Sequence, residues 1–425
     1  MKRIYLIFVT IFCVIFMIFF SHKIDNYKNY KKLQNEFEKN PVNFWLDKLN
    51  TTDYKKIVMN LDKINKFNQD IIENVEDVID FNSYDEKISV KILKKMITDT
   101  EYINNLPDID YLNINDFQSN EADISYAVTI KKTNLRIIPT DFKVFDYNDK
   151  LFYFDNIQLK EVKYGEPLIV LHYTNDKKWV FVQTYNMYGW IKTEDLAFIK
   201  NKKEFLDYVN MDDFIVVTAK KLEIDNNFLD MGVKIRLKND EDLYYNVLLP
   251  KKDENNKLIY LDYKIEKNED VNRGFIDYTK FNVIKQAFKY YGDDYGWGGL
   301  NNGIDCSGLI NNIYSVFGFQ IPRNSKYQQA MAGNFILFEE NTNIFKKSSK
   351  LNNTPVGSLL YIKGHIMIYL GKIGKKYYVI NSIASYLKNK KPFYSMKVEI
   401  SDLSYKRKNN KTFLESLLSI TEIDY

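Results

Sequence analysis

Residues 295–325 read YGWGGLNNGIDCSGLINNIYSVFGFQIPRNS. The stretch holds Cys306, one of two cysteines in 425 residues, between a glycine-rich loop and a run of helical period. Leu309, Ile310, Ile313, Tyr314 and Phe317 recur at three- and four-residue spacings, and Gly318 closes the run. The pattern predicts a helix whose first turn carries Cys306 and whose cap is Asp305. Unpaired N–H groups and the positive end of the helix dipole favour an anion there, so the thiol is a candidate nucleophile in its thiolate form. The glycines before it would let backbone approach a substrate. A cysteine so placed also serves as a small apolar packing group, and position alone leaves both readings open.

A nucleophile needs a base. The chain has three histidines. His22 flanks an apolar N-terminal run, and His172 sits in a β-rich run where it reads as structural. His365 opens GHIMIYLG, in which residues alternate as on a strand. The strand is followed by KIG and then KKYYVINS. A two-residue turn at Ile373–Gly374 would ask an isoleucine for positive φ, whereas a loop of Lys372, Ile373 and Gly374 puts glycine in the left-handed place. That register pairs Gly371 with Lys375 and sets His365 opposite Asn381, whose amide could hold the imidazole in its working tautomer. A slip of one residue would bring Ser382 there instead.

Other chemistries fit less well. Two cysteines, three scattered histidines and no HExxH motif argue against a catalytic zinc, and no cofactor is implied. Asp293, Asp294 and Asp305 invite a two-carboxylate glycosidase reading, but the first two read as turn residues. No Walker-type loop is present. A net charge of +4 argues against a dedicated nucleic-acid binder. The charge is uneven, with 15 Lys+Arg against 5 Asp+Glu in residues 341–425. This reads as a solvated lysine-rich face, with a polyanion-binding surface as the alternative.

Outward from the site, the first residues are MKR, and Ile4–Phe20 is an unbroken run without charge. Basic residues before an apolar span suit export with the N-terminus in the cytoplasm. The run is near the short limit of the ~20 residues that cross a bilayer. With no small-x-small cleavage site it reads as an uncleaved anchor, a cleaved signal being the alternative. Ile57, Leu61, Ile64, Phe67, Ile71, Val75 and Val78 predict one amphipathic helix capped by Thr52 or Asp53, and Ile88–Met96 a second. PLIVLHYT, WVFVQTY and GWIKTEDLAFI predict short strands of a small barrel, and FIVVTA, VKIRL and YYNVLLP a second set. Thr279 caps a further helix that Gly292 ends.

The motifs in order, from YGWGG through DCSGLINNIYSVFGFQIPRNSKYQ and VGSLLYIKGHIMIYLG to YYVINS, resemble the NlpC-type cell-wall cysteine peptidases over about 280–385. NLRIIPT and GEPLIVLHYTNDKKWVFVQT resemble the SH3-like barrels of a subgroup with a helical N-terminal region. The resemblance implies an α+β, papain-like catalytic domain preceded by SH3-like barrels and a helical region. It divides the chain into a signal segment (1–23), a helical region (24–120), two barrels (121–200 and 201–278) and a catalytic domain (279–425). It implies hydrolysis of peptidoglycan stem peptides between γ-D-glutamate and a diamino acid. The N-terminal run places the protein outside the cytoplasmic membrane, and a monomer is expected. Cys306 matches the nucleophile and His365 the base. Asn381 stands where the family has a polar third residue, often histidine. Tyr295 matches a site-lining tyrosine, and Asp305 and Ser307 match residues that help bind the substrate's amino end. A cysteine acyltransferase or amidase on the same fold, and a non-catalytic wall-binding protein, are the alternatives.

Overall fold

A six-stranded antiparallel sheet carries the C-terminal part of the chain, in the order Asn334–Leu337, Leu417–Glu422, Leu359–Ile362, His365–Ile373, Lys376–Lys388 and Lys391–Asp402. The computed structural model describes residues 27–424 apart from 107, 116 and 146–152. The apolar run 4–20, Cys13 and His22 lie outside the described residues. Among the described residues no helix is long and apolar enough to cross a membrane.

Side chains on a strand alternate between two faces, and this sheet uses both. Ile366, Ile368 and Leu370 share one core with Leu309, Ile310 and Ile313 of the Cys306–Ser315 helix and with Phe317 just after it. Met367, Tyr369 and Val379 share another with Phe413 and Leu417. Full burial is worth about 1.5–3 kcal/mol for each such side chain, so the helix that presents Cys306 is firmly seated. The element at Lys280–Phe288 starts on Thr279, whose side chain accepts from the Asn282 N–H.

Before this domain lie two all-β units. One is a seven-stranded sheet that runs from Ser125–Thr129 to Leu196–Ile199, with Trp190, Phe181 and Val182 buried. The other is a five-stranded sheet spanning Phe214–Arg273 with its own core around Ile215, Val217 and Val247. His172 is buried in the first, its Nε2 2.8 Å from the Leu112 carbonyl.

The helical region differs from the sequence reading. The periodic run 57–78 is not one helix: Ile57–Met59 is a strand paired with Tyr278–Thr279, and the helix is Leu61–Asn74. Asn60 decides this, because its side chain accepts from the Lys63 N–H and restarts the helix there. Ile88 likewise lies in a short strand, and the second helix is Val90–Thr98. These segments grip the catalytic domain. Asn68 donates to the Gly318 carbonyl and accepts from the Gln320 N–H, both at 2.9 Å. Trp45 packs on Gly371, Phe37 on Tyr378 (4.9 Å), and Lys48 donates to the Lys372 carbonyl (3.0 Å).

Candidate active site

Asp305 does more than end a loop. Oδ1 accepts from the Gly308 N–H (2.7 Å) and the Ser307 hydroxyl (3.2 Å), while Oδ2 accepts from the Gly298 N–H (2.9 Å) and from Arg323. Arg323 also donates to Ser307 Oγ at 2.5 Å. Burial would push this carboxyl up, but the Arg323 charge and the two backbone N–H groups hold it below the usual carboxylate range. Breaking such a buried pair leaves one charge uncompensated. With both oxygens engaged, Asp305 ties the glycine-rich loop, the start of the helix and Arg323 together. Sequence reasoning missed Arg323, although it lies within the quoted stretch and is the one arginine between Arg273 and Arg407. A buried acid at a helix cap asks for such a partner.

The glycine-rich loop packs against the first barrel. Gly298 and Gly299 have φ of +58° and +88°, and a Cβ on either would stand 2.7 Å from Gln158 or Glu161 of the first barrel. Gln158 Nε2 donates to the Gly298 carbonyl at 3.2 Å. The small residues thus let the loop lie against the barrel, and the loop then feeds Gly298 N–H to Asp305.

His365 and Asn381 meet as the sequence suggested, but in another register. The hairpin pairs Ile373 with Lys376 and Ile368 with Ile380, around a two-residue turn at Gly374–Lys375, with an irregularity between Tyr369 and Gly371. Gly374 (φ +59°) takes the first turn position, and the bulge absorbs a residue beside Gly371 (φ +119°). Carried onward, this register makes His365 and Asn381 diagonal neighbours on one face. His365 Nε2 lies 2.7 Å from Asn381 Oδ1. Asn381 Nδ2 donates to the Glu399 carbonyl (3.1 Å) and to Ser401 Oγ (3.0 Å). Those two bonds orient the amide, so its oxygen faces the ring, Nε2 carries the proton, and Nδ1 keeps its lone pair. Ser382 faces elsewhere and donates to the Ile304 carbonyl at 2.5 Å, just before the Cys306–Ser315 helix.

The Cys306 thiol lies against the backbone N–H groups of Ile366, the residue after His365, and of Ser307. Burial pushes the thiol up to about 11, and the Asp305 charge adds to this against the two N–H groups and Arg323. Burial pushes His365 down to about 4, against the Asn381 bond and with the Arg407 charge adding to it. Burial thus works against charge on both groups and opposes the pull of the helix start on a thiolate.

Tyr295 borders the same place. Its N–H donates to the Met396 carbonyl (2.8 Å), and its ring packs on Phe154 of the first barrel (6.0 Å), which also meets Trp297 (5.6 Å). Burial raises the Tyr295 hydroxyl well above the ordinary phenol range, with the charges of Cys306 and Asp305 adding to it. Among the described residues no cluster of three or more His, Cys, Asp or Glu could hold a metal ion.

Comparison with known proteins agrees with this layout. Residues 292–416 match the NlpC/P60 family, and residues 142–192 match the SH3 domain of SH3b1 type. The solved structure of an NlpC/P60 endopeptidase from Photobacterium damselae subsp. piscicida superposes with a TM-score of 0.70, covering 88% of this chain and 96% of that one at 17% identity. Bifunctional muramidase/DL-endopeptidase CwlT of Bacillus subtilis is 34% identical over 85 residues, 17% of this chain and 26% of that protein. Dipeptidyl-peptidase 6 of Lysinibacillus sphaericus is 30% identical over 92 residues, 21% and 29% of the two chains. The chain thus spans under a third of the length of either relative. It carries an NlpC/P60 domain with the papain-like α+β fold, behind an SH3b1-type domain and N-terminal helices.

Proposed function

We propose that this bearer of an NlpC/P60 domain is a peptidoglycan hydrolase that cuts stem-peptide amide bonds, between γ-D-glutamate and the diamino acid, through Cys306, His365 and Asn381. The observation that carries the reading is the His365–Asn381 bond: it leaves Nδ1 free as base, and the thiol sits against the next residue's N–H. Nδ1 takes the thiol proton as sulfur attacks the amide carbonyl. Backbone N–H groups at the start of the Cys306–Ser315 helix are placed to receive the oxyanion. The imidazolium returns its proton to the leaving nitrogen as the C–N bond breaks, giving a free amine and a thioester. Water, deprotonated by the same nitrogen, then releases the acid and restores the thiol. Tyr295 borders the acyl half of the substrate, and Asp305 and Ser307, which also hold Arg323, help bind its amino end.

The same proposal includes the division of the chain at 23, 120, 200 and 278, a monomeric state, and a location outside the cytoplasmic membrane reached through residues 4–20. Incubating the purified protein with defined muropeptides and weighing the products tests the central claim. A new free amine on the diamino acid supports it. Transfer of the acyl group to an added amine with no hydrolysis would favour an acyltransferase instead.

A further inference from the structure

A base that protonates the leaving amine stands beside it, so on the hydrolase reading the leaving half of a bound peptide extends past His365, away from Asp305. Beside His365 stand the hairpin of Lys376–Lys388 and Lys391–Asp402, which supplies Asn381, and the loop after it, whose Arg407 reaches the Lys363 carbonyl. Backbone bridges from Lys406 to Leu387 and to Thr412 stitch the loop to the hairpin. Asn389 and Lys390, both at positive φ, close a tight turn at the tip. Tyr386 lies between Phe393 (5.2 Å) and Tyr405 (4.2 Å) and braces the assembly.

This braced surface is strongly basic. Residues 386–411 contain eight Lys or Arg against two Asp or Glu. Both acids are engaged: Asp402 accepts from Lys376 (2.7 Å), and Glu399 accepts from Ser395. Among the described residues none of the eight cations makes an ion pair with an acidic side chain, whereas Arg323 and Arg136 are each paired. The innermost of the eight is Arg407. Its guanidinium donates to the Lys363 carbonyl at 2.8 Å, two residues before His365, and its backbone N–H donates to the Lys411 carbonyl at 2.9 Å. That single hydrogen bond fixes the guanidinium near the site and leaves its other donors for a guest.

We propose that Arg407, backed by the surrounding lysines, binds the carboxylate of the leaving peptide, so that the site selects stem peptides ending in a free carboxylate on that side. An arginine fork matches a carboxylate with two donors, and a wall of one sign concentrates an anionic peptide near the cleft. The inference rests on the hydrolase reading for its direction but is measured without catalysis. Two stem peptides that differ only in a C-terminal carboxylate or amide are titrated by calorimetry, at low salt, into full-length protein carrying Cys306→Ala. The carboxylate form is expected to bind about 10-fold tighter, the size of one charge-assisted hydrogen bond. Adding Arg407→Gln should erase that difference while leaving the amide peptide's affinity unchanged, which also shows the variant folded. Arg407→Lys should restore part of it. Equal affinities of the two peptides for the Cys306→Ala protein would overturn the proposal, as would retention of a phosphodiester polymer without such discrimination. Cleavage of the amidated peptide by the native protein is read separately and bears on the hydrolase reading alone.

Discussion

The two walls of the site treat charge in opposite ways. On the nucleophile wall Asp305 and Arg323 are nearly out of solvent, and every acceptor of the carboxylate has a donor. On the wall past His365, cations crowd an exposed hairpin and loop and among the described residues none of them forms a close ion pair, although Glu415 feels Lys406 and Lys411 and Glu399 feels Lys388. A buried, saturated pair adds little to binding, but it fixes geometry, since losing one partner strands the other. Exposed, unmatched charge adds nothing to the fold, and it costs self-repulsion unless something outside answers it. Position is held on one side of the sulfur, and contact with a guest is available on the other.

The contrast can be broken most severely at the sulfur. Cys306→Ala should abolish stem-peptide hydrolysis, to below about a thousandth of the native rate, while circular dichroism and the melting temperature stay close to native, because only the nucleophile is lost. His365→Ala should cost about 10²–10⁴ in kcat/KM, the range of a positioned acid–base group.

On the nucleophile wall the readout is stability. Arg323→Met, which leaves Asp305 buried without its counter-ion, should destabilise by about 3–5 kcal/mol in urea unfolding. Asp305→Asn with Arg323→Met should cost less than the sum of the two single changes. A simple sum would mean that the pair does not act as a unit.

Smaller effects separate the base from its support. Asn381→Ala should lower kcat by about 10–100-fold with KM little changed, because it orients the imidazole without touching substrate. Ser401→Ala, one step further back, should cost under about 10-fold. If Ser401→Ala were the worse of the two, the amide would not be the orienting group.

The mildest test is pH. An unfolded histidine takes its proton near 6.5, but His365 in the fold holds off until about 4. Between these values the unfolded state binds more protons, so stability falls as pH drops through the window, by up to about 1.4 kcal/mol per unit for this one site. His365→Gln should flatten that slope. The acid limb of kcat/KM should likewise lie below 6.5, and a limb at 6.5 or above would place the imidazole in water.

The helix at Cys306 was legible because its signals are local: an aspartate cap, apolar spacing and a glycine stop all lie within fifteen residues. The hairpin was legible only in part. The loop was expected at Lys372–Gly374, yet the turn is Gly374–Lys375 with a bulge, and Trp45 packs against Gly371 from more than three hundred residues away. His365 still meets Asn381 because the real register differs from the expected one by two residues, which keeps the face, whereas a slip of one would have lost it. The run 57–78 misled because Ile57 and Met59 serve a strand whose partner, Tyr278–Thr279, lies more than two hundred residues away. Arg323 and Arg407 escaped notice because a charged residue becomes informative only once its surroundings are known.

Gly298 and Gly299 against Gln158 and Glu161 make the catalytic domain a poor traveller. Of the donors to Asp305, Gly298 N–H belongs to a loop whose shape is moulded by another domain's strand. The far end of the nucleophile helix is tied down by Asn68, and its middle by Tyr185 through Asn311 at 2.7 Å. A gene fusion that borrowed residues 279–425 as a cassette would carry the sulfur, the imidazole and the amide, and would leave behind the mould that sets the loop. For a chain built this way, swapping the barrel is a change to the active site, and homologous exchange of catalytic domains between such proteins should succeed only when the barrel strand travels with them.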